Sequence, residues 1–212
     1  MASPKANYLI IYNTIFTLLW LNLLVKIAVD HPVSSYDKTY DRVGEFAKWI
    51  QTAALLDVLH AAIGLVRAPL IPTFIQTVAK NLVLWTIVRP FPRITESPAY
   101  TALLITWSIS ETIRYSYFAM MLSGQMPRFM PWLRYSAFVL IYPVGISCEM
   151  WLVYRAIGES RNPSVMAIMW AELVLLYTPG SYFLYTYMLK QRKRSLGGST
   201  TSVLRQQSQQ RT

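Results

Sequence analysis

The stretch LRYSAFVLIYPVGISCEMWLVY, Leu133–Tyr154, is 22 residues long and decides the fold. Its only charges are Arg134 near the start and Glu149 towards the end. A helix of about 20 mostly apolar residues crosses a ~30 Å hydrocarbon core, so this run reads as a membrane span. Six stretches of this kind lie near Tyr8–Ala28, Phe46–Val66, Leu70–Val88, Tyr100–Leu122, Pro131–Tyr154 and Val165–Leu189. The composition agrees: 54% of residues are hydrophobic and 14% charged, against roughly 25% charged in a soluble domain. One large soluble helical domain would need solvated polar stripes along its helices, and these are sparse. The chain therefore reads as all-α, a polytopic bundle of six transmembrane helices.

One domain suffices, with residues 1–194 forming the bundle. Residues 195–212 are rich in Ser, Thr, Gln and Gly and have little to bury, so they are expected to be a disordered tail. The first apolar segment follows only Lys5 and precedes Lys26 and Asp30 rather than a small-residue cleavage site, so it is expected to remain as a span. Six of the 20 basic residues follow Leu189, whereas the loop carrying Asp30, Asp37, Asp41 and Glu45 is acidic on balance. Basic residues beside short loops stay cytoplasmic, which puts both termini on that side, with Arg89 and Arg93 as a mild conflict. The net charge of +10 is thus a topology signal rather than a nucleic-acid footprint. A single cysteine, Cys148, gives no disulfide framework, and two separated histidines, His31 and His60, give no metal cluster.

Polar groups inside the spans carry the functional argument, because an intramembrane charge is costly and marks a pathway, an ion pair or a reaction site. The second span holds Asp57 and His60, and the fourth Glu111 and Arg114, both at i, i+3, where side chains share a face and can neutralise each other. The third holds Gln76, Lys80 and Asn81, and the sixth Glu172. Each pair can be structural; together they suggest a polar cavity.

Glu149 differs in having no base three or four residues away. Tyr142 lies two turns earlier on the same face, a rise of about 10 Å. Pro143 cannot donate to the ladder, so the Val139 carbonyl loses its partner and a kink is expected. Gly145 could let a helix or ligand approach the backbone. A phenol and a carboxyl on one face suit proton abstraction beside a carbonyl, or loss of a hydroxyl as water. The residues permit these reactions without choosing one, and a Tyr–Glu hydrogen bond bracing the proline would be the structural alternative.

Leu133-Arg134-Tyr135, Leu140-Ile141-Tyr142-Pro143-Val144-Gly145 and Glu149 resemble the signature of the very-long-chain 3-hydroxyacyl-CoA dehydratases, also called protein-tyrosine-phosphatase-like proteins. The resemblance extends to Tyr8–Asn13, to Gln51-Thr52 through His60, and from Gly64 and Arg67 to Gln76. It continues through Trp107–Tyr115, Tyr177-Thr178-Pro179-Gly180 and Gln191-Arg192-Lys193, and so covers about Tyr8 to Arg194.

This resemblance implies a six-helix enzyme of the endoplasmic reticulum that removes water from a 3-hydroxyacyl-CoA to give a trans-2-enoyl-CoA, the third step of fatty-acid elongation. The family's catalytic tyrosine and glutamate fall at Tyr142 and Glu149. Pro143, Gly145, Asp57, His60, Glu111 and Arg114 are expected to support the site. Arg67, Arg128 and Arg134, on the cytoplasmic side, are candidates for the CoA phosphates, beside the Lys190–Arg194 cluster. No metal or other cofactor is required, CoA being part of the substrate. The expected partners are that substrate, membrane lipids, and the condensing enzyme and reductases of elongation. Lys80-Asn81 stands where the family more often has Ser-Arg, and Asp57 where Glu is common.

A cysteine phosphatase needs a thiolate and an arginine in a His-Cys-x5-Arg loop. His60-Ala61-Ala62-Ile63-Gly64-Leu65-Val66-Arg67 has alanine at the nucleophile position, which excludes that chemistry. A non-catalytic transporter or membrane adaptor, with the buried charges serving conduction or assembly, is the remaining alternative.

Overall fold

Leu9, Tyr12, Phe16, Trp20, Leu23 and Ile27 recur every three or four residues and are buried, while Ile11, Ile15, Leu18, Val25 and Val29 on the opposite side are exposed. A helix apolar on both faces is packed against protein on one and suited to lipid on the other. This is α1, Pro4–Asp30. The computed structural model describes residues 3–30, 36–66 and 70–197, and side chains as far as Lys193. Arg67, His31 and the tail beyond Gly197 lie outside the described residues, and the last helix runs past the expected boundary at Arg194 to Gly197.

After α1 come a short 3₁₀ turn, Tyr36–Lys38, and a π-helical turn, Tyr40–Gly44, leading into α2, Glu45–Ala53. A break at Ala54 separates α2 from α3, Leu55–Ala62, although the sequence offers neither proline nor glycine there. Then α4, Leu70–Leu82, passes into a second π-helical turn, Val83–Val88. A 3₁₀ segment, Pro92–Glu96, precedes α5, Pro98–Ser123. The Ser97 hydroxyl caps α5 by accepting from the Ala99 amide at 3.3 Å, and Gly124, with φ of 78°, ends it. Left-handed backbone of that kind suits glycine.

The decisive stretch lies in α6, Phe129–Glu159, which continues through Pro143. The proline removes one rung of the ladder without ending the helix. Asn162 caps α7, Pro163–Ala171, which passes through a third π-helical turn, Glu172–Tyr177, into α8, Thr178–Gly197. The described residues thus form six rods and no strand.

Contacts fix the arrangement. Tyr8 at the start of α1 meets His60 at the end of α3, and Lys26 near the end of α1 lies over the Phe46 ring of α2. Tyr12 of α1 meets Tyr115 late in α5, Tyr117 meets Tyr135 early in α6, and along the last rod Trp170 of α7 meets Tyr154 late in α6 while Tyr185 of α8 meets Phe138 earlier in it. Successive rods therefore run up and down, and the start of α1 and the end of α8 share one end of the bundle.

Among the described residues four stretches are long and apolar enough to cross a membrane: Pro4–Val29, Leu70–Val88, Phe129–Glu159 and Pro163–Lys193. Both remaining rods depart from that pattern for physical reasons. The α2–α3 rod is broken at Ala54. The α5 rod packs chiefly on α1 and α6, and its buried Tyr100, Leu103, Leu104, Trp107, Ser108, Glu111 and Tyr115 face protein. A helix enclosed by neighbours can carry polar groups that lipid would reject.

Candidate active site

Glu149 is buried on the inner face of α6. Helix α5 reaches it through Trp107, whose indole Nε1 donates to Oε1 at 2.9 Å. A hydrogen bond to a charged acceptor contributes about 1.5–3 kcal/mol, so this contact both orients and retains the carboxyl. Lys80 from α4 lies over the Trp107 ring, 5.2 Å from its centroid, and acts electrostatically on Glu149. The third neighbour is Tyr177, at the end of the π-helical turn between α7 and α8. Its hydroxyl adjoins Glu149, yet it is buried with no partner in hydrogen-bonding geometry.

Tyr142 is half-buried, within electrostatic reach of Glu149, and stacked on Tyr185 of α8 with centroids 6.0 Å apart. The expected shared face is therefore present, and α8 completes it. Gly145 is buried between the two, and a Cβ there would sit 3.5 Å from the Thr106 hydroxyl of α5. The approach that glycine permits is thus of a helix.

A second polar cluster adjoins the first. Asp57 of α3 accepts from Tyr12 on Oδ1 and from both Tyr115 and the Arg114 guanidinium on Oδ2, each at 2.7 Å. Arg114 also donates through Nε to Glu111 at 2.6 Å, and Lys80 donates to the other Glu111 oxygen at 2.5 Å. Two carboxylates and two cations thus alternate from α3 through α5 to α4, and Lys80 links them to the Trp107–Glu149 contact.

The expected Glu111–Arg114 pair forms, whereas the expected Asp57–His60 pair does not. His60 bonds the Tyr8 hydroxyl through Nε2 at 2.9 Å and packs edge-on against Tyr12, while Asp57 takes Arg114. A guanidinium fork offers a carboxylate stronger bonds than an imidazole, and α5 carries it to the right place. Of the polar groups expected to line a cavity, Asp57, Lys80, Glu111 and Arg114 are bonded to one another.

Of the arginine candidates, Arg128 is exposed just before α6. Arg134 packs its guanidinium on the Tyr117 and Phe118 rings at 4.6 and 4.5 Å, with its Nε buried and without a hydrogen-bond partner. Both lie at the end of the bundle that holds the start of α1 and the end of α8. Pro143 faces outward into an open groove on the other side of α6. Among the described residues no group of three or more His, Cys, Asp or Glu side chains could hold a metal ion.

Nothing in the sequence alone assigns Tyr8, Tyr12, Tyr115, Trp107 or Tyr177 a role in the site. Their signal was present all the same: each carries an O–H or N–H that needs a partner in a largely apolar bundle.

A model of the family described as "Protein tyrosine phosphatase-like protein, PTPLA" matches residues 51–198. The chain is 34% identical to the "Probable very-long-chain (3R)-3-hydroxyacyl-CoA dehydratase" of Schizosaccharomyces pombe, over 90% of this chain and 93% of the relative. It is 35% identical to the Arabidopsis thaliana dehydratase PASTICCINO 2, over 91% and 94%. A human relative, "Very-long-chain (3R)-3-hydroxyacyl-CoA dehydratase 2", is 30% identical over 89% of this chain and 80% of its own length. No solved structure matches the chain significantly.

Proposed function

The chain belongs to the protein tyrosine phosphatase-like family, and from that premise we propose that it is a very-long-chain (3R)-3-hydroxyacyl-CoA dehydratase, a hydro-lyase. The observation that carries this reading is the match to relatives of that name along nine-tenths of the chain. The Tyr142–Glu149 face supplies a chemical means. Glu149 takes the C2 proton, the C2–H electron pair becomes the C2–C3 double bond, and the C3–O bond breaks. Tyr142 gives its phenolic proton to the departing oxygen, which leaves as water. Return of the proton from Glu149 to Tyr142 restores both groups, so the cycle balances without a redox partner or a metal.

Removal of the C2 proton puts negative charge on the thioester oxygen, and a fixed donor at that position lowers the barrier. The unpartnered Tyr177 hydroxyl is suited to this role. Trp107 holds Glu149 in place, while Asp57, His60, Glu111 and Arg114 brace the helices behind it. No thiolate follows His60, where Ala61 stands, so the family's descriptive title brings no phosphatase chemistry with it.

The substrate's phosphates would lie at the end carrying Arg128, Arg134, Lys190, Arg192 and Lys193, with Arg67 as a further candidate. The same cations favour a cytoplasmic position for both termini, and the reading places the bundle in the endoplasmic reticulum membrane with six spans. There the enoyl product would pass to an elongation reductase, and a condensing enzyme and a ketoreductase would act earlier.

The test is to incubate purified protein with a long-chain (3R)-3-hydroxyacyl-CoA and follow enoyl-CoA by chromatography. Turnover is expected. A folded preparation that forms no enoyl-CoA overturns the reading.

A further inference from the structure

On the face of α6 turned away from Glu149, Pro143, Val144, Ser147, Cys148, Trp151 and Arg155 form one wall of an open groove of about 780 Å³. The opposite wall is the start of α5 with Glu96 before it, and Tyr36 contributes at the edge. Val144 is the central residue of the 31-residue α6, so the groove begins near the middle of the rod. From there to Arg155 the helix rises about 17 Å. One leaflet of the hydrocarbon core is about 15 Å deep. The groove therefore has the depth of a single leaflet, with an apolar floor near the midplane and a mouth at headgroup level.

The chemistry along its length changes in step. Pro143, Val144 and Cys148 offer apolar contact at depth, and Trp151 occupies a level favoured by interfacial aromatics. At the mouth, Arg155 and Glu96 are exposed and of opposite charge, and neither takes part in any ion pair among the described residues. An acyl-CoA or an anionic phospholipid would bring negative charge against Glu96. An apolar partner helix would leave both charges unpaired.

We propose that this groove is a binding site for a zwitterionic phospholipid. One acyl chain lies along Pro143, Val144 and Cys148, Arg155 takes the headgroup phosphate, and Glu96 takes the ammonium group. Lipid seated there backs the helix that carries Tyr142 and Glu149, whose sequence neighbours Pro143 and Cys148 it touches.

The single cysteine of the chain supplies the readout. Full-length protein in detergent micelles is treated with N-ethylmaleimide, with and without added phosphatidylcholine, and the Cys148 adduct is followed by intact mass. Phosphatidylcholine at ten times its dissociation constant is expected to slow alkylation by about tenfold, since protection scales as one plus that ratio. Phosphatidylglycerol is expected to protect less. In Arg155→Gln and Glu96→Gln proteins the preference for phosphatidylcholine is lost, while Arg161→Gln, beyond the groove, retains it.

Equal alkylation with and without phosphatidylcholine overturns the proposal, as does equal protection by the two lipids. Protection by a 3-hydroxyacyl-CoA in lipid-free micelles also overturns it, by assigning the groove to the substrate. The wild-type comparison of the two lipids stands by itself if a variant misfolds. None of these readings depends on turnover.

Discussion

Two polar regions lie side by side in this bundle and differ in how fully they are satisfied. Around Asp57, every charge is answered: two phenols and a guanidinium meet one carboxylate, and Glu111 is held from both sides by Arg114 and Lys80. Around Glu149 there is one donor, from Trp107, with a neighbouring phenol that has no partner of its own. A saturated cluster has little left to offer a substrate, whereas an unsaturated one keeps bonds in reserve. Position within an apolar span marks both as costly; only the bonding separates brace from site.

The sharpest way to break that contrast is substitution at the less satisfied region. Glu149→Gln and Tyr142→Phe are each expected to lower turnover by about 10²–10⁴-fold, the usual worth of a positioned acid or base. Their thermal unfolding should change little. Unfolding curves that collapse while specific activity per folded molecule survives would reverse the assignment.

Asp57→Ala should show the opposite pattern. It strands Arg114 in the interior, and breaking a buried pair by removing one partner costs about 3–5 kcal/mol. A clear drop in unfolding temperature in detergent is expected, with activity lost only as the folded fraction falls. An unchanged unfolding temperature would show that the cluster is not a brace.

Two tyrosines give the smaller and finer comparison. Tyr12→Phe removes a bond to Asp57 and should cost about 0.5–3 kcal/mol of stability, according to whether its bond counts as neutral or charge-assisted. Tyr177→Phe removes a hydroxyl that lies beside Glu149 without reaching full hydrogen-bonding geometry, so stability should change little while turnover falls by about 10²-fold, as when one donor to a developing oxyanion is lost. Paired unfolding and turnover measurements decide it, and equal behaviour of the two variants would erase the distinction.

The rods were largely legible in the sequence because hydropathy reports burial in lipid directly: the expected Tyr8–Ala28 is seen as Pro4–Asp30, and the expected Leu70–Val88 as α4 with the π-helical turn that follows it. The Glu111–Arg114 pair was legible too, since its geometry is local to one helix. What escaped was non-local. Nothing near Asp57 tells it to bond Arg114, 57 residues away, rather than His60 on its own helix. The break at Ala54 has no proline or glycine to announce it, and the π-helical turn that places Tyr177 leaves no mark in a run of Glu, Leu and Val. Tyr142 and Glu149 stood out because one helix carries both. Tyr177 and Trp107 did not, because folding brings them there.

The alternating chain of charges also sets an order of assembly. A polypeptide is made from its N-terminus, so Asp57 and Lys80 exist before their partners do. Until α5 follows, the early bundle holds one unmatched acid and one unmatched base on separate rods. Helix α5 then delivers Glu111 and Arg114 together, as a neutral couple one turn apart, and each finds its opposite: Lys80 for Glu111 and Asp57 for Arg114. The α5 rod, which is not among the four stretches apolar enough to cross a membrane by themselves, thus acts as the keystone, entering last among the first four and locking those before it into register.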